Sequence, residues 1–245
     1  MGDSPKIVQE NELRLWQICP ALPHFNRDSP GQLGEYQHRA SLRDKMCLSS
    51  LRWLIYQAIK TNQIPSPKEA RFHWASILAR NPETRELTPH DFKELVTSVS
   101  GVVVKFSELM TERHYIPLLP RTPITLPAFG SILITYPEGL LSSKQEDVLL
   151  LEYQSEGMTA GRSWFNNIVT RARAVAVSSR LNRLVPILCF NNHGLFQIIQ
   201  VHAIYDRALK NSICHAVASI AEGSWIPLTK SCMKEKCPFY ERCWR

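Results

Sequence analysis

The chain has 245 residues, is 44% hydrophobic and 21% charged, and carries a formal net charge of +7 with a pI near 9.1. That length is enough for one large domain or two small ones around a real core, and the composition is that of a globular protein. No run of about eighteen apolar residues is present, which excludes a helical membrane span, and the basic balance points to an anionic partner, most often nucleic acid.

The opening residues, Met-Gly-Asp-Ser-Pro-Lys, hold no apolar signal-peptide core, and Lys6 stands where a myristoylation signal has Ser or Thr. The expected compartment is therefore the reducing cytosol. Seven cysteines, an odd number, then read as metal ligands or buried thiols and not as disulfides.

In chain order, residues 7–19 read as a short helix carrying Leu13 and Trp16, stopped by Cys19-Pro20. A Pro-, Asn- and Gly-rich loop is expected over residues 20–34. Leu42, Met46, Ser49, Trp53, Tyr56 and Ile59 recur at helical spacing within residues 35–61. After the break at Ile64-Pro-Ser-Pro67, residues 68–80 form another expected helix. Thr88-Pro-His-Asp91 has the chemistry of a helix start, with Thr88 as N-cap and Pro89 at the first helical position. Val102-Val103-Val104 is a β-branched run and marks a change of texture.

Residues 129–136 and 147–154 read as two strands of a β-hairpin with a loop of about ten residues. A long helix is expected over residues 162–184, then strands over 184–190 and 196–204 around the turn Asn191-Asn-His-Gly194. A last helix runs to Glu222, with Gly223 as its C-cap. The layout is thus a helical N-terminal lobe over residues 1–100 and an α/β core with a cysteine tail over residues 101–245. The expected fold is a central mixed sheet flanked by helices.

Three groups of residues could carry chemistry. Three of the seven cysteines, Cys232, Cys237 and Cys243, fall in the last fourteen residues. Thiolates this close share a metal or close a disulfide, and a tetrahedral site needs a fourth ligand from elsewhere in the chain. In the second group, Glu152 follows four apolar residues on its strand; an acid there is costly unless it is paired or binds a cation. The third is the 162–184 helix, with Arg162, Arg171, Arg173, Arg180 and Arg183 and no acid between residues 157 and 205. Such a stripe suits phosphate contacts without base reading; a solvated helix face is the plainer alternative.

Read together, four motifs resemble the RecB-like branch of the PD-(D/E)XK nucleases, which includes CRISPR-associated exonucleases and iron–sulfur helicase–nucleases. They are Leu13-Arg-Leu-Trp16-Gln-Ile-Cys19-Pro20, Gly34-Glu-Tyr-Gln-His38, Gly130-Ser-Ile-Leu133 with Glu152-Tyr-Gln154, and the cysteine tail after Gly223. The resemblance implies that Cys19 joins Cys232, Cys237 and Cys243 around a 4Fe–4S cluster; four thiolates also suit zinc. It also implies DNA as substrate or ligand, partner subunits in a DNA-processing, repair or antiviral defence complex, and His38 and Glu152 as site residues. Mg²⁺ or Mn²⁺ is implied only for an active enzyme.

The chain departs from the pattern where hydrolysis needs it. The expected Asp position holds Leu133, and the expected Lys is Gln154. With the turn centred near residue 142, Glu152 faces a residue near 132, and Glu138 falls in the turn. The expectation is a DNA-binding protein impaired in cleavage. An active exonuclease or endonuclease with a displaced acid, and a structural subunit using the fold for protein contacts alone, are the alternatives.

Overall fold

The computed structural model describes residues 4–28, 42–143, 147–154, 167–191, 194–201, 203–224, 239 and 243. The chain begins with a short strand, β1 (Lys6–Gln9), followed by α1 (Glu10–Ile18) and α2 (Leu22–Asp28). Three longer helices come next: α3 (Leu42–Thr61), α4 (Pro67–Arg80) and α5 (Pro89–Glu112). Five strands then run β2 (Ile116–Leu119), β3 (Ile124–Ala128), β4 (Ser131–Thr135), β5 (Gly139–Ser142) and β6 (Val148–Gln154). The remainder is α6 (Ile168–Leu181), β7 (Ile187–Asn191), β8 (Phe196–Ile199) and α7 (Ala203–Glu222).

The protein is mixed α/β, with two mixed sheets flanked by helices. A three-stranded sheet has the order β1-β4-β3, with β1 parallel to β4. A five-stranded sheet has the order β2-β5-β6-β7-β8, with β6 and β7 parallel at its centre. Central strands covered on both faces read as continuous apolar runs, and Val148-Leu-Leu-Leu151 is one, buried throughout.

The alternation of side chains along a strand sorts that sheet into two cores. Leu141, Leu149, Leu151, Leu188 and Phe190 face α3, α4 and α5. Leu140, Val148, Leu150, Ile187 and Cys189 face α6, α7 and the three-stranded sheet. α6 is buried almost all round from Ile168 to Ser178, as an interior helix must be if its residues are apolar on every side. A third, small cluster holds Leu15, Ala21, Leu22, Phe25 and Phe239; Phe25 and Phe239 stack at 4.8 Å, and Cys19 and Cys243 both pack against it.

Helix caps follow the sequence closely. The Thr88 hydroxyl accepts from the Asp91 amide, and Gly223 takes the left-handed conformation (φ 72°) that ends α7. Lys6 and Arg27 donate to the Ala221 and Ile220 carbonyls in the last turn of α7, tying the first strand and α2 to it.

Several elements differ from expectation. The first helix is preceded by β1, and the expected loop after Cys19 contains α2. The run Val102-Val103-Val104 lies inside α5, because burial against α3 and α4 overrides the β preference of branched side chains. α5 therefore crosses the expected boundary at residue 100, while β1 pairs with β4 of the second half. The hairpin also differs: β6 pairs with β5, and β4 belongs to the other sheet. Among the described residues, no helix is long and apolar enough to cross a membrane.

Candidate functional site

The register of the β5–β6 hairpin places Gly139 opposite Leu151. One step further brings Glu138 opposite Glu152. Both acids stand two residues from a side chain of the α6-facing core, Leu140 and Leu150, so alternation turns them toward α6. There they meet Arg173, which is only 5% exposed. Its Nη1 donates to Glu152 Oε2 at 2.8 Å and to Glu138 Oε1 at 3.5 Å. A third acid, Glu10 in the first turn of α1, takes Nε and Nη2 at 3.0 and 2.6 Å, and its Oε2 also accepts the Tyr136 amide at 2.8 Å. Three separate stretches of chain thus converge on one guanidinium from a fourth.

Two further arginines lie at the edge of this network. Arg52 Nε donates to Glu138 Oε2 at 2.7 Å, and Arg121 Nε lies 3.8 Å from the same oxygen while its guanidinium sits over the Tyr136 ring. Both side chains are about one-third exposed, whereas those of Arg173 and the three acids are buried.

Burial works against charge throughout the cluster. Burial raises the Glu10 carboxyl, but the hydrogen bond and charge of Arg173 and the Tyr136 amide outweigh it and hold Glu10 below its ordinary range. Glu152 goes the other way. It is pushed up to about 8, by burial first and by the charges of Glu138 and Glu10, against the pull of Arg173. Burial would lower the Arg173 guanidinium, but its three carboxylates keep it charged. Cys189, register partner of Glu152 on β7, is raised by burial and then by the Glu152 charge. Oε1 of Glu152 is buried with no hydrogen-bond partner. At neutral pH it is the place for a proton.

The cluster as built does not fit Mg²⁺ or Mn²⁺. Mg²⁺ demands octahedral oxygen coordination and keeps several waters. Here every carboxylate oxygen but Glu152 Oε1 faces a guanidinium or an amide N–H. Among the described residues, no group of three or more His, Cys, Asp or Glu could hold a metal ion.

Of the residues singled out from sequence, Glu152 is at the centre. Arg173 is as well, but as a correction: it points inward to three carboxylates and is no part of a solvent-facing phosphate stripe, since α6 is interior. Arg171 is half-buried, with its Nε unpartnered and burial lowering its pKa; Arg180 and Arg183 are exposed beyond the buried stretch. Leu133 is fully buried in β4 beside Val8 and Leu126, not across from Glu152. Gln154 ends β6 opposite Asn191; its side chain, with His38, Arg162, Cys232 and Cys237, lies outside the described residues. Cys19 and Cys243 each pack against the third apolar cluster. Cys47, Cys189 and Cys214 are buried.

Glu10 has no place among the expected site residues, and Glu138, expected in the turn, instead stands directly before β5 and reaches Arg173. Glu138 had one signal, the short apolar run Gly139-Leu-Leu141 directly after it, which is strand enough for a hairpin. Glu10 had none, because an acid in a first helical turn is ordinary.

No family model and no curated protein matches the chain. Among solved structures, it is similar to a protein of Eubacterium rectale named as a candidate exonuclease, at 12% identity and TM-score 0.43 over 79% of this chain and 73% of that one. It is also similar to the protein SSO0001, at 10% identity and TM-score 0.34 over 78% of this chain and 84% of that one.

Proposed function

We propose that the chain is a DNA-binding protein with a nuclease-like core, impaired in cleavage, that acts with other subunits in a DNA-processing or CRISPR-like defence complex. One observation carries the reading. The acids that a hydrolytic core would give to a divalent cation are bound instead to the guanidinium of Arg173. Metal-assisted hydrolysis needs carboxylate oxygens for the cation and a group to orient the attacking water. The network leaves one such oxygen, and Gln154 stands where the resemblance has a Lys. The charge of +7 supports a polyanionic partner, with Arg180 and Arg183 exposed to meet it.

Cys19, Cys232, Cys237 and Cys243 would hold a 4Fe–4S cluster, or zinc in the same four thiolates. The packing of Cys19 and Cys243 against one small apolar cluster supports this set. Such a group supplies a covalent tie between the chain ends and couples folding to its own binding. The reading needs a reducing compartment, the cytosol, to keep those thiols available.

A second reading, an active exonuclease or endonuclease, is favoured by the approach of Glu138 and Glu152 to the same Arg173 Nη1, which supplies an acid where Leu133 does not. One experiment separates the two. Anaerobically purified protein is assayed for iron and zinc, then for DNA binding over a salt series, then for cleavage with Mg²⁺ and Mn²⁺. Salt-dependent binding without cleavage is the expected result. Metal-dependent cleavage lost in Glu152→Ala would replace the first reading with the second, and no binding at low salt would end both.

A further inference from the structure

The outer edge of the acid cluster has unspent hydrogen-bond donors. Arg52 and Arg121 both converge on one oxygen, Glu138 Oε2, whose partner oxygen already faces Arg173. One carboxylate therefore answers three guanidinium groups. Arg52 uses only its Nε in that contact, so its two Nη groups have no acceptor among the described residues. Arg121, at 3.8 Å, is outside hydrogen-bond distance and keeps all its donors, while Tyr136 holds its plane from one side at 4.9 Å.

Two like charges so placed repel, and Glu138, which also faces Arg173, answers them only in part. Among the described residues, the interior supplies no second anion. Glu10 and the inner oxygens of the cluster are taken by Arg173, and the partnerless oxygen of Glu152 is buried. A pair of arginines about one-third exposed, with N–H donors unused, is suited to a tetrahedral oxyanion, which guanidinium groups bind in bidentate fashion.

We propose that Arg52 and Arg121 form a phosphate-binding clamp on the solvent side of the Glu138–Arg173 network, and that it takes a backbone phosphate of DNA. The clamp rests on the DNA-binding reading for its ligand, but its chemistry can be tested apart from it. The buried Glu138–Arg173 network beneath gives the clamp its floor, so the arginines arrive already oriented.

The test measures anisotropy of a labelled DNA oligonucleotide with the full chain, comparing wild type, Arg52→Gln, Arg121→Gln and the double variant across a salt series. Each single change is expected to weaken binding about tenfold. The double variant is expected to lower the slope of log affinity against log salt by about two. Arg52→Lys, which keeps the charge and loses the fork, should recover part of the loss, and this guards against a variant that merely misfolds. Wild-type binding with an unchanged double variant would overturn the clamp and leave the DNA-binding reading standing. Should wild type bind no DNA, titration with inorganic phosphate decides. Heat lost in the double variant would support a clamp for free phosphate, and no heat in wild type would overturn it.

Discussion

The two faces of the five-stranded sheet are built differently. On the face toward α3–α5 the contacts are mainly apolar, with Phe106 and Phe190 meeting edge to face at 5.2 Å and Tyr153 donating to Asp44 at 3.0 Å. On the face toward α6 an apolar layer gives way at the strand ends to three carboxylates and a guanidinium. Burying charge is costly, and replacing such a network by apolar side chains often stabilises a protein. A fold seeking stability alone would therefore have used the first solution twice. The contrast singles out the α6 side as the place where the protein holds charge in fixed positions.

The largest expected effect breaks that side directly. Arg173→Met leaves Glu10 and Glu152 without their buried cation and should cost about 3–5 kcal/mol at neutral pH, read by urea denaturation. Adding Glu10→Gln and Glu152→Gln to the same chain should return much of the loss. A cost below that of an ordinary core truncation would mean that the network is not the structural centre of this face.

Next in size is a pH effect. The folded protein holds the Glu152 proton more tightly than the unfolded chain, with a pKa of about 8 against an ordinary 4.5. Its contribution to stability is complete below the ordinary carboxylate range and is lost as pH rises through about 8. Glu10, held low by Arg173, contributes above that range and loses its share as pH falls through its depressed value. Glu152→Gln should therefore flatten the alkaline limb of the stability profile by on the order of a few kcal/mol and leave the acid limb in place. An unchanged alkaline limb would place the proton elsewhere.

The smallest effect sharpens the comparison from the other face. Tyr153→Phe removes the phenol that donates to Asp44 from a mainly apolar layer. It should cost about 1 kcal/mol, with no change in the pH profile between 5 and 8, because burial, followed by Cys47 and Asp44, holds the phenol well above that range.

What could be read from the sequence follows the range of the interactions. Local chemistry was legible: the Thr88 cap, the break before α4, the Gly223 terminus and the apolar strand leading to Glu152. Pairings between distant segments were not. A four-residue strand such as β5 carries too little alternation to announce itself, so the hairpin was assigned to the longer apolar run of β4. Arg173 was misread because an absence of acids nearby in sequence does not mean an absence in space; Glu10, its tightest partner, is 163 positions away. The β-branched run in α5 was misread because packing on both sides outweighs a propensity worth about 1 kcal/mol at most.

The clasp between Lys6 and Ala221 spans 215 positions. During synthesis, β1 leaves the ribosome long before α7, which it helps to cap. Until β4 has emerged β1 has no strand to pair with, and until α7 has emerged Lys6 has no carbonyl to clasp. Contacts of such long sequence separation slow folding and prolong the life of sticky intermediates. Fusing a rapidly folding domain ahead of residue 4 should therefore alter the yield of soluble protein more than the same fusion after α7.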